Sequence, residues 1–528
     1  MNPIETPGVD WAALAPLLAL IGGAMVLLMV SALMTRKPPP GTWAGATVAI
    51  ALAAIGGAIP LWQEVTDPER GPFSVVAGAV GIDGFSVFFT IIIAVAVMLA
   101  ALFADGFLRR EGMDGAEPYA LLLLSASGGL MMASANDLIV MFLGLEILSI
   151  AVYVLAAMHL RRAESQEAGM KYFVLGAFSS AFFLYGIALV YGATGTTNLG
   201  RILAFDPVTT ESGALVVDRL DDGTPALLLA GFALLLVGFG FKIAAVPFHS
   251  WAPDVYQGSP SPVVTFMASG VKAAGFAGLL RVFVIAFEGY APDWQPYVYV
   301  LAVATLLVGS VLAVVQTDIK RMLAYSSINH AGWVLLGVQA ASDQGVSGAL
   351  FYLAAYTFMV AGSFGVVTVV GRGADDRHGL DAYRGLARSR PLLALVFTVF
   401  LLAQAGVPLT SGFFAKFYVL SAAVEARSYW LAIVAMVSAV IAAFLYLRII
   451  VAMYMSDEEE ATVAALAPSA AATSSAGGAG IPARVPVPAA AGVALGFAAL
   501  FTLVVGFLPS PMAEVSRDAV PTVTAGED

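Results

Sequence analysis

The residues of this sequence that are best suited to chemistry are ionisable side chains inside long apolar segments. They are Glu146, Lys242, Lys272, His330 and Lys416. A charge within a membrane-spanning helix is expensive and usually faces protein or water, so it indicates a functional site. Carboxyl, amine and imidazole groups exchange protons, and burial and neighbouring charges tune their pKa values. Their distribution along the chain therefore predicts a path that handles protons.

The segments around the first two residues support this hypothesis. Glu146 has Ser149 on the same helical face, and its own segment carries no basic residue, so a partner must come from another helix. Lys242 is followed by Pro247 and His249. Proline removes a backbone hydrogen bond, and a broken helix beside a lysine indicates a polar cavity.

The other three residues lie in similarly unusual surroundings. Lys272 is near the centre of its segment among small residues, which leave room for water or for close helix contact. His330 shares a helical face with Ser326, and Lys416 follows Pro408. Lys242 and Lys416 each lie in a late part of a proline-interrupted segment, as in the broken helices of inverted-repeat transporters.

Each of these residues also has a structural explanation. A buried lysine can form a fixed ion pair or extend its amine to the membrane surface. Glu146 could be no more than the counter-ion of Lys242, and His330 could make an ordinary hydrogen bond between helices. Pro247 and Pro408 could simply be kinks. The five ionisable residues taken together favour the conducting path.

About fourteen apolar segments must position these residues, each near the roughly 20 residues that a helix needs to cross a bilayer. Of the 528 residues, 60% are hydrophobic and 12% are charged, and alternation of period two is absent. The predicted fold is an all-α integral membrane protein. The predicted spans are 12–34, 42–62, 84–104, 118–135, 137–159, 169–192, 225–248, 262–287, 296–315, 322–340, 345–371, 391–421, 428–455 and 489–509.

The positions of lysine and arginine predict the orientation, because these residues stay on the cytoplasmic side. The predicted inner connections hold Arg36, Lys37, Arg109, Arg110, Arg161, Arg162, Lys320, Arg321, Arg372, Arg377, Arg384, Arg388, Arg390 and Arg484. The predicted outer connections hold only Arg70, Arg201, Arg219, Arg427 and Arg517.

Composition excludes several functions for this chain. It has no cysteine, so it cannot form disulfides, thiolate zinc sites or cysteine-ligated iron–sulfur clusters. We expect no metal and no cofactor in this chain. The net charge of −11 is dispersed, without the basic stripe that nucleic acid requires. The acidic loop 193–224 has no assigned role, and 456–488 has the composition of a flexible linker.

Five segments carry a resemblance to a known family. They are FLGLEILS (142–149), GMKYFVLGAFSSA (169–181), PFHSWAPDVYQGSP (247–260), KRMLAYSSI (320–328) and GVPLTSGF (406–413). Over roughly 80–455 the chain resembles the antiporter-like membrane subunits of respiratory complex I, and most closely the subunit N family. Lysine at position 416 is part of this resemblance, because the subunit M type has glutamate there.

The resemblance implies both an architecture and a set of site residues. It implies two inverted five-helix repeats, formed by predicted helices 4–8 (118–290) and 9–13 (291–455), with helices 7 and 12 broken. The segments outside the repeats are 1–117, the linker 456–488 and 489–528. The resemblance also implies that Glu146 and Lys242 form a coupled pair, that Lys272 lies centrally and that Lys416 faces the far side. His330 matches the polar relay residue between Lys272 and Lys416.

The implied function is that of a proton-translocating membrane-arm subunit of NADH:quinone oxidoreductase in a bacterial cytoplasmic membrane. NADH, FMN, iron–sulfur clusters and quinone would then belong to other subunits. The implied partners are the lipid bilayer and other membrane subunits, both antiporter-like and small. Two alternatives stay open: a subunit of a multisubunit cation/proton antiporter, and a scaffold that does not transport.

The charge bias and the even number of predicted crossings place both ends of the chain outside the cytoplasm. Fusions of a reporter enzyme that is active only outside are expected to be active at Asn2 and at Asp528. The matched control is a fusion after Arg110, which is predicted to be inside and inactive. Activity after Arg110 together with inactive ends would reverse the orientation.

Overall fold

The structure of the chain is a computed structural model. It describes residues 9–204, 226–371, 375, 378–454 and 487–521. Both chain ends, most of loop 193–224 and almost all of the predicted linker 456–488 lie outside the described residues. The predictions made for those segments therefore stay predictions.

The first part of the chain consists of helices and one small hairpin. Its helices are α1 (Ala15–Leu33), α2 (Thr42–Val65), α3 (Gly84–Arg110), α4 (Glu117–Ser134), α5 (Leu138–Ala157), α6 (Ala163–Thr194) and the short α7 (Leu199–Leu203). Between α2 and α3, strands β1 (Phe73–Val75) and β2 (Val80–Ile82) pair antiparallel.

The described residues of the second part form helices and their connections, with no strand among them. Its helices are α8 (Ala226–Ile243), α9 (Trp251–Gly258), α10 (Ser261–Phe266), α11 (Lys272–Leu279), α12 (Ala291–Val314), α13 (Ile319–Ala340), α14 (Asp343–Val370), α15 (Leu386–Ser389), α16 (Pro391–Ala405), α17 (Ser411–Glu425), α18 (Tyr429–Tyr454), α19 (Ala489–Phe507) and α20 (Ser510–Asp518). The π-helical turns Met267–Val271 and Leu280–Ala286 extend α10 and α11 into one helix, and 3-10 turns occupy Glu288–Tyr290 and Leu380–Tyr383.

The predicted spans coincide with these helices. Eleven helices of the described residues are long and apolar enough to cross a membrane. The three other predicted spans fall on α4, on α13 and on the broken pair α16 and α17. Helix α13 is polar for a span because it carries several buried polar side chains. The all-α membrane fold is therefore confirmed, and the number of crossings stays a prediction.

Helices α5 and α13 begin in the same way. Each is capped by an aspartate, Asp137 or Asp318, whose side chain accepts a hydrogen bond from a backbone N–H of the first turn. Each aspartate also forms an isolated antiparallel bridge to the segment after the following helix, Asp137 with Asn198 and Asp318 with Gly379. The two bridges occupy matching places in the two predicted repeats.

The most buried helices form the centre of the bundle. In the most apolar stretch of Ser261–Ala286 every residue is buried, and most of α14 and α3 is buried as well.

Glycines allow close packing around this centre. A Cβ on Gly144 of α5 would lie 2.8 Å from the backbone oxygen of Gly128 in α4, so the backbone that carries Glu146 approaches its neighbour closely.

A buried ion pair holds the C-terminal end of the helix that carries Lys272. The guanidinium of Arg281 contacts both carboxylate oxygens of Asp83, at 2.8 and 3.0 Å, and donates to the backbone oxygen of Ala133 at 2.8 Å. Asp83 also caps α3. One buried ion pair therefore fixes the end of the central helix against α3 and α4.

A second buried cluster holds the start of the same helix. Asp375 is fully buried and accepts hydrogen bonds from the hydroxyl of Ser261 at 2.9 Å and from Lys320 at 3.3 Å. Arg162 donates to the backbone oxygen of Asp375 at 2.8 Å. Burial alone would raise the pKa of Asp375, but Lys320, His378 and Ser261 outweigh it and hold that pKa well below its usual range.

The substitution Asp375→Asn is expected to destabilise the protein by about 3–5 kcal/mol, because it leaves Lys320 as a buried charge without a counter-ion. The depressed pKa means that the carboxylate's contribution is fully present at neutral pH and is lost only in acid, as the pH falls through that pKa. Thermal unfolding of the purified assembly measures this loss.

The matched control for Asp375→Asn is Asp381→Asn. Asp381 is 85% exposed and pairs with Arg384 at 3.0 Å. Since exposed ion pairs contribute about 0–1 kcal/mol, this variant should unfold like the wild type. Equal stability of the two variants would contradict an anchoring role for Asp375.

Candidate functional site

Lys242 lies at the end of α8, where the chain leaves the helix. Only 3% of its surface is exposed. Its Nζ donates to Ser149 Oγ of α5 at 2.7 Å and lies 5.8 Å from the ring centre of Tyr172. Helix α8 ends at Ile243, and Pro247 lies in the connection before α9. The predicted break in this helix is therefore present, just after the lysine.

Glu146 lies one helical turn before Ser149 and does not contact Lys242. Its Oε1 is buried and has no hydrogen-bond partner. Among the described residues no ion pair within 4.0 Å joins Glu146 to Lys242, although the two charges act on each other electrostatically. The serine occupies the place next to the lysine that a directly paired carboxylate would take.

A small cavity adjoins the Lys242 amine between α5, α6 and α8. Its polar lining comes from Ser149, Tyr153, Ser179, Ser180 and Lys242. It has room for about one water molecule, and its polar walls offer the partners that such a water needs. The polar cavity predicted beside this lysine is thus present.

Lys272 lies in the middle of the molecule and reaches across to α13. Its Nζ donates to the backbone oxygen of Ser327 at 2.6 Å and to the hydroxyl of Ser327 at 2.5 Å. The ring centre of Tyr356 is 5.9 Å from the same nitrogen. Lys272 directly follows the π-helical turn Met267–Val271, an irregularity that is frequent at functional sites.

His330 lies between two tyrosine hydroxyl groups. Its Nδ1 is 2.6 Å from the hydroxyl of Tyr352 in α14, and its Nε2 is 3.1 Å from the hydroxyl of Tyr446 in α18. The ring of Tyr356 lies 4.7 Å from the imidazole centre. Tyr356 therefore neighbours both Lys272 and His330.

Lys416 lies in α17, after the break, and turns back towards α16. Its Nζ donates to the backbone oxygen of Ala405, the last residue of α16, at 2.9 Å. The ring centre of Trp333 lies 5.1 Å from this nitrogen. Lys242 precedes its helix break and Lys416 follows its own, so the two lysines lie on different sides of the breaks in their helices.

Uncharged polar side chains lie between Lys272, His330 and Lys416. Tyr446 is 2.6 Å from Ser326 Oγ, and Ser326 donates to Gln404 Oε1 at 3.2 Å. Ser326 is the neighbour of Ser327, the partner of Lys272, and Gln404 precedes Ala405, the acceptor of Lys416. Lys272, His330 and Lys416 are thus joined by a nearly continuous set of polar groups.

The predicted site residues fall into two sets. Lys272, Ser326, His330 and Lys416 come together, whereas Lys242 lies at a separate cavity and Glu146 lies one helical turn from Ser149, the partner of Lys242. His249 lies outside both sets, and its Nδ1 has no hydrogen-bond partner. Pro247 and Pro408 lie in the exposed connections of the two broken helices.

Sequence reasoning missed Gln404, Tyr352 and Tyr446, whose only signal was a polar group in an apolar helix.

The arrangement can hold and pass protons. Among the described residues, no group of histidine, aspartate and glutamate side chains could bind a metal ion. The three lysines, by contrast, donate to neutral oxygen atoms. Such groups can exchange a proton with a neighbouring hydroxyl, imidazole or water.

Comparison with known proteins identifies the family. The model of the family described as NADH:quinone oxidoreductase/Mrp antiporter, TM, matches residues 135–442. The chain is 46% identical over 343 residues to NADH-quinone oxidoreductase subunit N of Trichlorobacter lovleyi, covering 65% of this chain and 68% of that protein.

Solved structures share the fold. A chain of respiratory complex I from Thermus thermophilus aligns with a TM-score of 0.74 and 33% identity, covering 94% of this chain and 98% of that one. A chain of the Mrp complex from Dietzia sp. aligns with a TM-score of 0.78 and 20% identity over 97% of both chains, a likeness of fold alone. The chain belongs to the family of NADH-quinone oxidoreductase subunit N, the antiporter-like membrane subunits of respiratory complex I.

Proposed function

We propose that this chain moves protons across the membrane as part of an NADH:quinone oxidoreductase, through a relay of Glu146, Lys242, Lys272, His330 and Lys416. One observation carries the proposal. Lys242, Lys272 and Lys416 are each at least nine-tenths buried, yet among the described residues none has a carboxylate within 4.0 Å. A structural ion pair would hold the charge in place with a counter-ion, and these amines have neutral partners instead.

Glu146 and Lys242 would form the end of the relay at which a proton is taken up. The polar cavity lined by Lys242 has room for about one water molecule, and Ser149 accepts a hydrogen bond from the amine. Glu146 acts on Lys242 through its charge and not through contact. A change in the charge of Glu146 would therefore alter how firmly Lys242 holds its proton.

The step from Lys242 to Lys272 has no direct hydrogen bond among the described contacts. The helices are close there, because a Cβ on Gly275 would lie 3.2 Å from Cγ of Lys242. Movement of the long lysine side chains, or a water molecule, would have to complete the transfer. From Lys272 onward, Tyr356 neighbours both Lys272 and His330, and the relay continues from His330 to Lys416.

The two alternatives fit less well. A cation/proton antiporter subunit would share the fold, but the relatives with high identity carry the name of subunit N. A scaffold that does not transport would have no reason to keep three buried lysines without counter-ions, because such charges destabilise a fold.

Several finer features belong to the same proposal. Flavin, iron–sulfur clusters and quinone would be on other subunits, and the immediate partners would be antiporter-like and small membrane subunits. The location would be a bacterial cytoplasmic membrane with both termini outside. The chain would divide into two inverted repeats, 118–290 and 291–455.

Glu146 and Lys242 should behave as a pair in a double-mutant cycle. Glu146→Gln or Lys242→Met alone leaves one charge without its opposite, whereas the double variant leaves neither. We expect each single variant to lower assembly more than the double variant does, and all three variants to lower pumping because each removes a relay group. The measurements are complex yield and protons moved per electron in reconstituted vesicles, with the exposed Glu425→Gln as control. Simple additivity would mean that the charges do not interact.

As a member of the relay, Lys272 is expected to gain and lose a proton during each turnover. Lys272→Met keeps a similar length without the titrating group, and Lys272→Arg keeps a permanent charge. Both are expected to lower proton pumping and quinone reductase activity, by about tenfold or more, because a relay step is lost. A structural role would instead tolerate arginine better than methionine.

The matched control for Lys272→Met is Lys171→Met, which removes a lysine that is 40% exposed and pairs with Glu167 and Asp254. This variant should assemble and pump nearly as the wild type does. Near-normal pumping with methionine at position 272 would remove Lys272 from the path and contradict the proposed function.

A further inference from the structure

The orientation of the Gln404 side chain is fixed by two acceptors on α14. Its Nε2 lies 2.6 Å from Ser363 Oγ and 3.5 Å from the backbone oxygen of Met359. A carbonyl oxygen can only accept, so the amide nitrogen must face Met359. The Ser363 hydroxyl donates its own hydrogen to Met359 at 3.0 Å, so Ser363 Oγ also accepts from Gln404. The Gln404 oxygen therefore points the opposite way.

That oxygen sets the direction of the next two hydrogen bonds. Gln404 Oε1 can only accept, so Ser326 donates to it, at 3.2 Å. A hydroxyl has a single hydrogen, so Ser326 Oγ must accept in its second contact, which is with the hydroxyl of Tyr446 at 2.6 Å. Tyr446 has then used its hydrogen and must accept from His330 Nε2, at 3.1 Å.

We propose that Gln404 is a positioning residue that sets the tautomer of His330. The chain of directed hydrogen bonds requires neutral His330 to carry its hydrogen on Nε2. Its Nδ1 is then the acceptor, and the hydroxyl of Tyr352 donates to it at 2.6 Å. The side chains of this hydrogen-bonded chain are all buried, so bulk water does not compete for its hydrogen bonds; they are Gln404, Ser326, Tyr446, His330 and Tyr352.

The tautomer decides where His330 can take up a proton. In the relay proposed above, on which this consequence rests, His330 gains a proton only at Nδ1, on the side of Tyr352 and α14. If the Nε2 proton passed to Tyr446, Tyr446 would pass its own hydrogen to Ser326, and Ser326 would have to release its hydrogen to Gln404 Oε1. A neutral amide oxygen is too weak a base to hold that proton, so the transfer ends there. Gln404 thus opposes passage through Nε2.

The assignment can be tested by nitrogen-15 solid-state NMR of the assembled complex with labelled histidine. The difference between wild-type and His330→Gln complexes isolates the His330 signals, and protonated and bare ring nitrogens have well-separated shifts. We expect a hydrogen on Nε2 and a bare Nδ1 in the wild type. A resting His330 with its hydrogen on Nδ1, or with hydrogens on both nitrogens, would overturn the proposal.

Two variants are designed to remove the hydrogen bonds that fix the His330 tautomer. Gln404→Met removes the acceptor of Ser326, and the smaller change Ser363→Ala frees the Gln404 amide to rotate. Each is expected to convert the single tautomer of His330 into a mixture. The matched control is Gln339→Met, since Gln339 is also buried in the bundle but its Oε1 has no hydrogen-bond partner. A single unchanged tautomer in both Gln404→Met and Ser363→Ala would contradict the proposal.

A pumping measurement separates positioning from general packing. If Gln404 acts through Tyr446, Gln404→Met should change proton pumping severalfold in the wild-type background and have no further effect in a Tyr446→Phe background. Full additivity would contradict the proposal. The NMR result does not depend on pumping, so normal pumping by Lys272→Met would reject the relay while leaving the tautomer assignment standing.

Discussion

The free energy of holding a lysine ammonium group inside an apolar bundle is the constraint on which the structure depends. Each buried amine must be given oxygen acceptors, because an unsatisfied charge there would be very unfavourable. The acceptors are neutral: Ser149 for Lys242, Ser327 for Lys272 and the Ala405 backbone oxygen for Lys416. Two of the three lysines lie beside a helix break, where backbone groups are free to line a polar interior.

Lys272 joins the two halves of the molecule, and its helix is held accordingly. The helix begins at Ser261, bonded to Asp375, and Arg281 near its end is paired with Asp83. Both anchors are buried, so neither loses its strength to water or salt. With the helix fixed at both ends, the lysine side chain is the part that can move, and it reaches α13 across the boundary between the predicted repeats.

Helices α5 and α13 illustrate how similar elements acquire different chemistry. Both are capped by aspartate and fixed by an equivalent antiparallel bridge. At the same distance from the cap, α5 has Glu146 where α13 has Ser327, and one turn later α5 has Ser149 where α13 has His330. The first helix thus offers a charge one turn from the partner of Lys242, and the second offers neutral groups that pass hydrogen bonds onward.

The sequence by itself determined the membrane class, the positions of the apolar helices and the ionisable residues, because a charge in an apolar segment is visible without coordinates. It also located both helix breaks from Pro247 and Pro408. Only the tertiary structure decided which groups meet. Glu146 does not touch Lys242, since Ser149 takes that place, and Lys416 turns back to Ala405 across its break. Gln404, Tyr352 and Tyr446 were not identified because an uncharged polar residue in a helix becomes informative only when its partners on other helices are known.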